Sequence, residues 1–128
     1  MFLRFVVSAV DEDSGRRQGL FHTAYALRRS GELPLHLHEQ LDEALNWLDD
    51  KVGIPDRLTR GSRKHANGMA ISWFKDTARD CIRQMHTICR ILDEHGIPTE
   101  MITSERPGYI IFEDRSQISA VPFSDTVT

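Results

Sequence analysis

Between Gly53 and Gly68 four cations, Arg57, Arg60, Arg63 and Lys64, stand against the single acid Asp56, with His65 adjoining. Guanidinium and ammonium groups at that density suit phosphate or carboxylate, since each carries full charge and several N–H donors. A second set follows. Arg79, Arg83, His86 and Arg90 fall at i, i+4, i+7 and i+11, which on a helix makes one outward line. Loop and line together would form an anion-binding surface for a phosphodiester backbone or an acidic partner. One competing arrangement is plain: Asp76, Asp80, Asp93 and Glu94 lie three or four residues from these arginines. Pairing at that spacing is worth ~0.2–0.5 kcal/mol each and would make the line an ordinary solvated face.

Ser14-Gly15-Arg16-Arg17-Gln18-Gly19 is a second candidate. Arg16 and Arg17 stand where a helix should begin, and positive charge there opposes the helix dipole. A phosphate or carboxylate held by both guanidiniums would offset that, although Asp11, Glu12 and Asp13 are close enough to neutralise them. The Gly-Lys-Ser/Thr of a phosphate-binding loop is absent.

Metal, cofactor and nucleophile chemistry find less support. His36 and His38 are two residues apart and on a helix face nearly opposite ways. His38 and Asp42 share a face, but a third ligand is missing. Neither a metal nor a cofactor is expected. His65 beside Arg63 and Lys64 suggests an acid or base in a metal-independent phosphodiesterase, without an identifiable second proton-transfer group. Cys81 and Cys89 are eight residues apart on one helix, about 12 Å along the axis, too far for a disulfide. Both lie on its apolar stripe, where thiolate formation is suppressed. Trp47, Trp73 and Phe74 are stacking platforms if exposed. Trp73 and Phe74 are adjacent on a strand and must point to opposite faces, which makes Trp73 the candidate for an interface.

The elements that position these groups are clear. Ala70 to Phe74 reads as a buried strand. Asp76-Thr77 with Asp80 opens a helix in the manner of a capping box. Ala78, Cys81, Ile82, Met85, Ile88, Cys89 and Leu92 give that helix one apolar stripe, and Gly96 with Pro98 closes it. Earlier, Phe2 to Val10 is a strand apolar on both faces. A helix starts at Arg16 or Gly19 and runs to Ser30, ended by Gly31. A second runs from Pro34 to Val52, acidic with one lysine against five acids, ended by Gly53. Ile54 to Gly68 is a long loop, a length that tends to be functional. Later, Glu100 to Ser104, Tyr109 to Phe112 and Gln117 to Val121 read as strands in an antiparallel meander, with a type II turn over Arg106-Pro107-Gly108.

The order βααβαβββ predicts a two-layer α+β sandwich, a mostly antiparallel five-stranded sheet with three helices on one face. Residues 1–123 form one domain and 124–128 a frayed tail. Apolar groups on both strand faces leave one face without cover. A second copy or another partner is expected there, hence a possible homodimer or a subunit docked onto a larger assembly.

With 40% apolar and 27% charged residues the 128-residue chain is globular. A net charge of −3 excludes a global field toward nucleic acid or membrane. Met1 to Val7 lacks the pattern of a signal peptide, and no stretch reaches the ~20 apolar residues of a membrane helix. A cytoplasmic protein without membrane contact is expected. The stretches Ser14 to Gly19, Ala70-Ile71-Ser72-Trp73-Phe74-Lys75 and Pro107-Gly108-Tyr109 through Asp114 resemble those of short bacterial reading frames of unknown function. That resemblance implies bacterial origin and assigns no functional residue. The expected activity is that of a small non-catalytic binding module for RNA, DNA or an acidic protein surface, of a regulatory, inhibitor or immunity type.

Overall fold

The structure, a computed structural model, describes residues 1–10, 17–52 and 70–128. Its elements are β1 (Phe2–Val10), β2 (Arg17–Gly19), α1 (Leu20–Ser30), α2 (Leu35–Lys51), β3 (Ile71–Lys75), α3 (Arg79–Glu94), β4 (Glu100–Ser104), β5 (Tyr109–Glu113) and β6 (Gln117–Val121). This is the expected α+β sandwich, an open antiparallel sheet with three helices among the described residues. The short β2 is an addition. Arg17 pairs with Val10 and Gly19 with Val6, so the chain is extended from Arg17 to Gly19 and the helix takes the later of the two expected starts, with Gly19 as its N-cap.

Each helix buries the stripe its sequence carries. Leu20, Ala24 and Leu27 of α1, Leu41, Ala44, Leu45 and Leu48 of α2, and Met85, Ile88, Ile91 and Leu92 of α3 pack on Leu3, Phe5, Val7 and Phe74 of the sheet. Gly31 (φ 71°) and Gly96 (φ 85°) end α1 and α3 in the left-handed conformation that glycine enters without a Cβ penalty. The start of α3 differs from expectation. Its N-cap is Ala78, with no side-chain cap. The Ala78 N–H donates to the Lys75 carbonyl at 3.0 Å and the Arg79 N–H to that of Thr77 at 2.9 Å. This tight turn delays the helix past Asp76-Thr77, and Asp80 pairs with Arg83 instead.

The opposite face of the sheet carries a second cluster: Val6, Ile71, Trp73, Ile102, Ile118 and Ala120. Alternation along β1 and β3 sends Phe5 and Phe74 to the helices and Val6 and Trp73 the other way. The strand pairing corrects the meander. β5 and β6 form a hairpin, but β4 pairs with β1. Phe2 faces both Lys75 and Ser104, so β3 and β4 flank β1 on opposite edges.

That pairing dictates curvature. Ser104 ends β4 and Tyr109 begins β5, with four residues between them, yet the strands are joined only through β1, β3 and β6. Across a flat sheet four strand spacings make ~19 Å, before any displacement along the strands. Five extended links reach at most ~18 Å. The sheet therefore coils, bringing β4 and β5 toward each other around the second cluster. Gly108 (φ 141°), just before β5, sits tightly on the end of β6: a Cβ there would lie 2.0 Å from the Val121 carbonyl oxygen.

The last residues lie across the same side. The Thr126 hydroxyl donates to the Arg106 carbonyl (3.3 Å) and accepts from the Phe123 N–H (3.1 Å). The Phe123 ring meets Tyr109 edge-on, centroids 4.8 Å apart. Buried Arg4 donates to the carbonyls of Thr128 and Arg17. The last residues thus form a strap from the β5 side to β1. The face expected to need a partner is buried within the single chain, with Trp73 1% exposed. No helix among the described residues is long and apolar enough to cross a membrane.

Candidate functional site

Trp47 and Lys51 are four residues apart, which places them one turn apart on the same face at the end of α2. The first turn of α3 lies beside them, bringing Arg79. Antiparallel packing explains this: Arg90, near the far end of α3, donates to Gln40 near the start of α2 at 2.9 Å. The third contributor is the β5–β6 turn. One carboxylate oxygen of Asp114 accepts the N–H groups of Ser116 (2.8 Å) and Gln117 (2.9 Å), an Asx-type turn that holds Arg115 at the tip. The Ser116 carbonyl accepts from the Lys75 N–H at 2.9 Å and ties that turn to the end of β3, where α3 is about to begin.

These three element ends enclose a cleft of about 570 Å³ lined by Trp47, Lys51, Thr77, Ala78, Arg79, Asp80, Cys81, Arg115 and Ser116. Its charge is unbalanced. Asp80 is held by Arg83 at 3.2 Å, and Asp114 nearby is saturated by its own turn. Lys51, Arg79 and Arg115 have no carboxylate partner among the described residues, whereas Arg17, Arg28, Lys75, Arg83 and Arg90 each have one. The uncapped start of α3 adds the positive end of its dipole.

The arrangement offers electrostatic capture and little else. Burial pushes the Cys81 thiol above its ordinary pKa, with a side-chain hydrogen bond to Ser116 pulling weakly the other way, so it is a poor nucleophile at neutral pH. Burial likewise raises Cys89. Among the described residues no three of His, Cys, Asp and Glu converge as metal ligands.

The expected surface is only partly recovered. Arg57, Arg60, Arg63, Lys64 and His65, and Arg16 of the glycine-flanked stretch, lie outside the described residues. Arg17 is committed to an ion pair with Glu100. On the helix line Arg83 is paired with Asp80, and Arg90 bonds Glu94 (3.4 Å) and Gln40. Acids at three- and four-residue spacing thus pair with two cations of the line. Arg79 escapes and joins the cleft. Trp73, expected at an interface, points away from the helices as the alternation requires, but it is enclosed by the coiled sheet. Arg115 and Lys51 join the cleft without having stood out in the sequence, whereas Trp47 is one of the stacking platforms expected there. The Trp47–Lys51 spacing was visible in sequence; the convergence of Arg115 was not. No family model, curated protein or solved structure matches the chain.

Proposed function

We propose that this protein is a small non-catalytic binding module that engages an anionic partner at the cleft between α2, α3 and the β5–β6 turn. The observation that carries this reading is the set of three cations, Lys51, Arg79 and Arg115, without a carboxylate partner among the described residues, in a concave site on a chain whose net charge is −3. An acidic protein that gathers three cations against one lining carboxylate, itself held by Arg83, concentrates its attraction for anions at one spot. The basic stretch from Arg57 to Lys64 belongs to the same reading on sequence grounds. A regulatory role inside a bacterial cell fits it. The free thiols Cys81, buried, and Cys89, partly buried, suit a cytosolic setting.

The test is an electrophoretic mobility shift at two salt concentrations, with the wild type and a protein carrying Lys51→Glu, Arg79→Glu and Arg115→Glu. Binding that weakens with salt and is lost in the triple variant supports the reading. Absent binding, or binding indifferent to salt and to the substitutions, removes it.

Self-association is a second reading, favoured by the outer strand β5. Tyr109 and Ile110 are 69% and 48% exposed there, on a strand paired only with β6 among the described residues. Light scattering at tens of micromolar tests it, with Ile110→Lys as the variant that should dissociate any dimer. A monomer at those concentrations ends this reading.

A further inference from the structure

We infer that the anion taken by the cleft is a nucleotide unit, its base against the Trp47 indole and its phosphate among Lys51, Arg79 and Arg115. The inference rests on the anion-binding reading and names its ligand class. A site for a bare polyanion or an acidic peptide needs only cations. This one sets an aromatic ring directly beside them, the pairing that single-stranded nucleic acid sites use, because every base has a π-face and every nucleotide a phosphate.

Three features of the cleft agree. Trp47 is partly buried, unlike the enclosed Trp73: it packs against the main core and also lines the cleft. Its one-turn separation from Lys51 puts their Cβ atoms ~5–6 Å apart, the scale of a base and its own phosphate. The volume of about 570 Å³ falls within the ~300–1,000 Å³ of sites that enclose small ligands. A concave pocket of that size suits one nucleotide unit better than the flank of a duplex or a protein face. Thr77 and Ser116 bring hydroxyls to the same walls, groups able to meet either a phosphate oxygen or a base edge. The one lining carboxylate, Asp80, is occupied by Arg83. Two sources share this chemistry, a free nucleotide and a nucleotide within a single strand.

The experiment titrates wild type, Trp47→Ala and Trp47→Phe with a short oligothymidylate, with a mononucleotide and with inorganic polyphosphate, following tryptophan emission and affinity. The expected result is quenching of wild-type emission by a base-bearing probe. Trp47→Ala should bind that probe about five- to a hundredfold more weakly, bind polyphosphate as the wild type does, and show no quenching; Trp47→Phe should retain most of the affinity. Quenching by the mononucleotide supports the free ligand, and quenching by the oligomer alone supports a single strand. Equal binding of oligothymidylate and polyphosphate, with Trp47→Ala changing neither, overturns the nucleotide inference and leaves anion binding standing. Failure of all three probes overturns both.

Discussion

Arg79, on the first turn of α3, and Arg115, at the tip of the β5–β6 turn, line one cleft, and neither has a carboxylate partner among the described residues. Arg83, one turn beyond Arg79, is held by Asp80 at 3.2 Å. The contrast separates two cations that the sequence presents as equivalents. Replacing Arg79 or Arg115 by Ala should weaken binding of a polyanion and lower the slope of log affinity against log salt by about one. Arg83→Ala should leave the slope unchanged and lower affinity less, only through the release of Asp80 at the cleft wall. Fluorescence anisotropy over a salt series reads both, and an Arg83→Ala slope as low as that of Arg79→Ala would count against the cleft.

Gly108→Ala should be strongly destabilising. The added Cβ meets the Val121 carbonyl oxygen at 2.0 Å and its carbon at 2.6 Å, backbone atoms that cannot rotate away. The residue also holds φ at 141°. A loss above about 2 kcal/mol is expected from strain and overpacking, read as a lower urea midpoint. Gly19→Ala, with nothing within 4 Å of the added Cβ, is the control and should cost far less.

Trp73→Ala should cost about 3–5 kcal/mol, the range for emptying a buried aromatic site, because Trp73 packs with Val6, Ile102 and Ile118 in the second cluster. Its effect on oligomeric mass should be nil, since the ring is buried within one chain. Calorimetry and light scattering on the same samples decide this; a change of mass without loss of stability would contradict the coiled sheet.

Deleting residues 124–128 should destabilise the fold and open it to protease. The strap takes the Thr126–Arg106 contact and one acceptor of buried Arg4 with it. Losing one hydrogen bond from a buried guanidinium costs about 1.5–3 kcal/mol. Native-state proteolysis of full-length and shortened chains should differ several-fold, and identical rates would show that the strap carries no stability.

Alkaline pH should weaken the joint between α1 and α2. The Tyr25 hydroxyl donates to the Asp49 carboxylate. Burial first, then that bond and the charge of Asp49, push the phenol from 10.0 to about 12. A phenol that holds its proton more tightly when folded adds stability below its unfolded pKa, and that stability is lost as pH rises from about 10 to 12. Tyr25→Phe should therefore lower the urea midpoint at neutral pH and decline less steeply above pH 10. An alkaline decline as steep as that of the wild type would show that Tyr25 does not carry it.

The apolar stripes of all three helices, the glycine stops Gly31 and Gly96, and every long strand were legible in the residue order, because each follows from a local period or a local backbone requirement. The opposite orientation of Trp73 and Phe74 was legible for the same reason. Which strand pairs with which was not. Nothing local to Glu100–Ser104 distinguishes pairing with β1 from pairing with β5, and the choice of β1 is what coils the sheet and encloses Trp73. The charge of Arg79, Arg83 and Arg90 was equally visible, but its availability depends on where a carboxylate's nearest cation lies in space. Local spacing determined that Arg83 and Arg90 could be neutralised. Only the packing of α2 on α3 and the pinned turn at Asp114 decided that Arg79 would instead meet Lys51, Trp47 and Arg115, since contacts between distant segments are set by how whole faces bury.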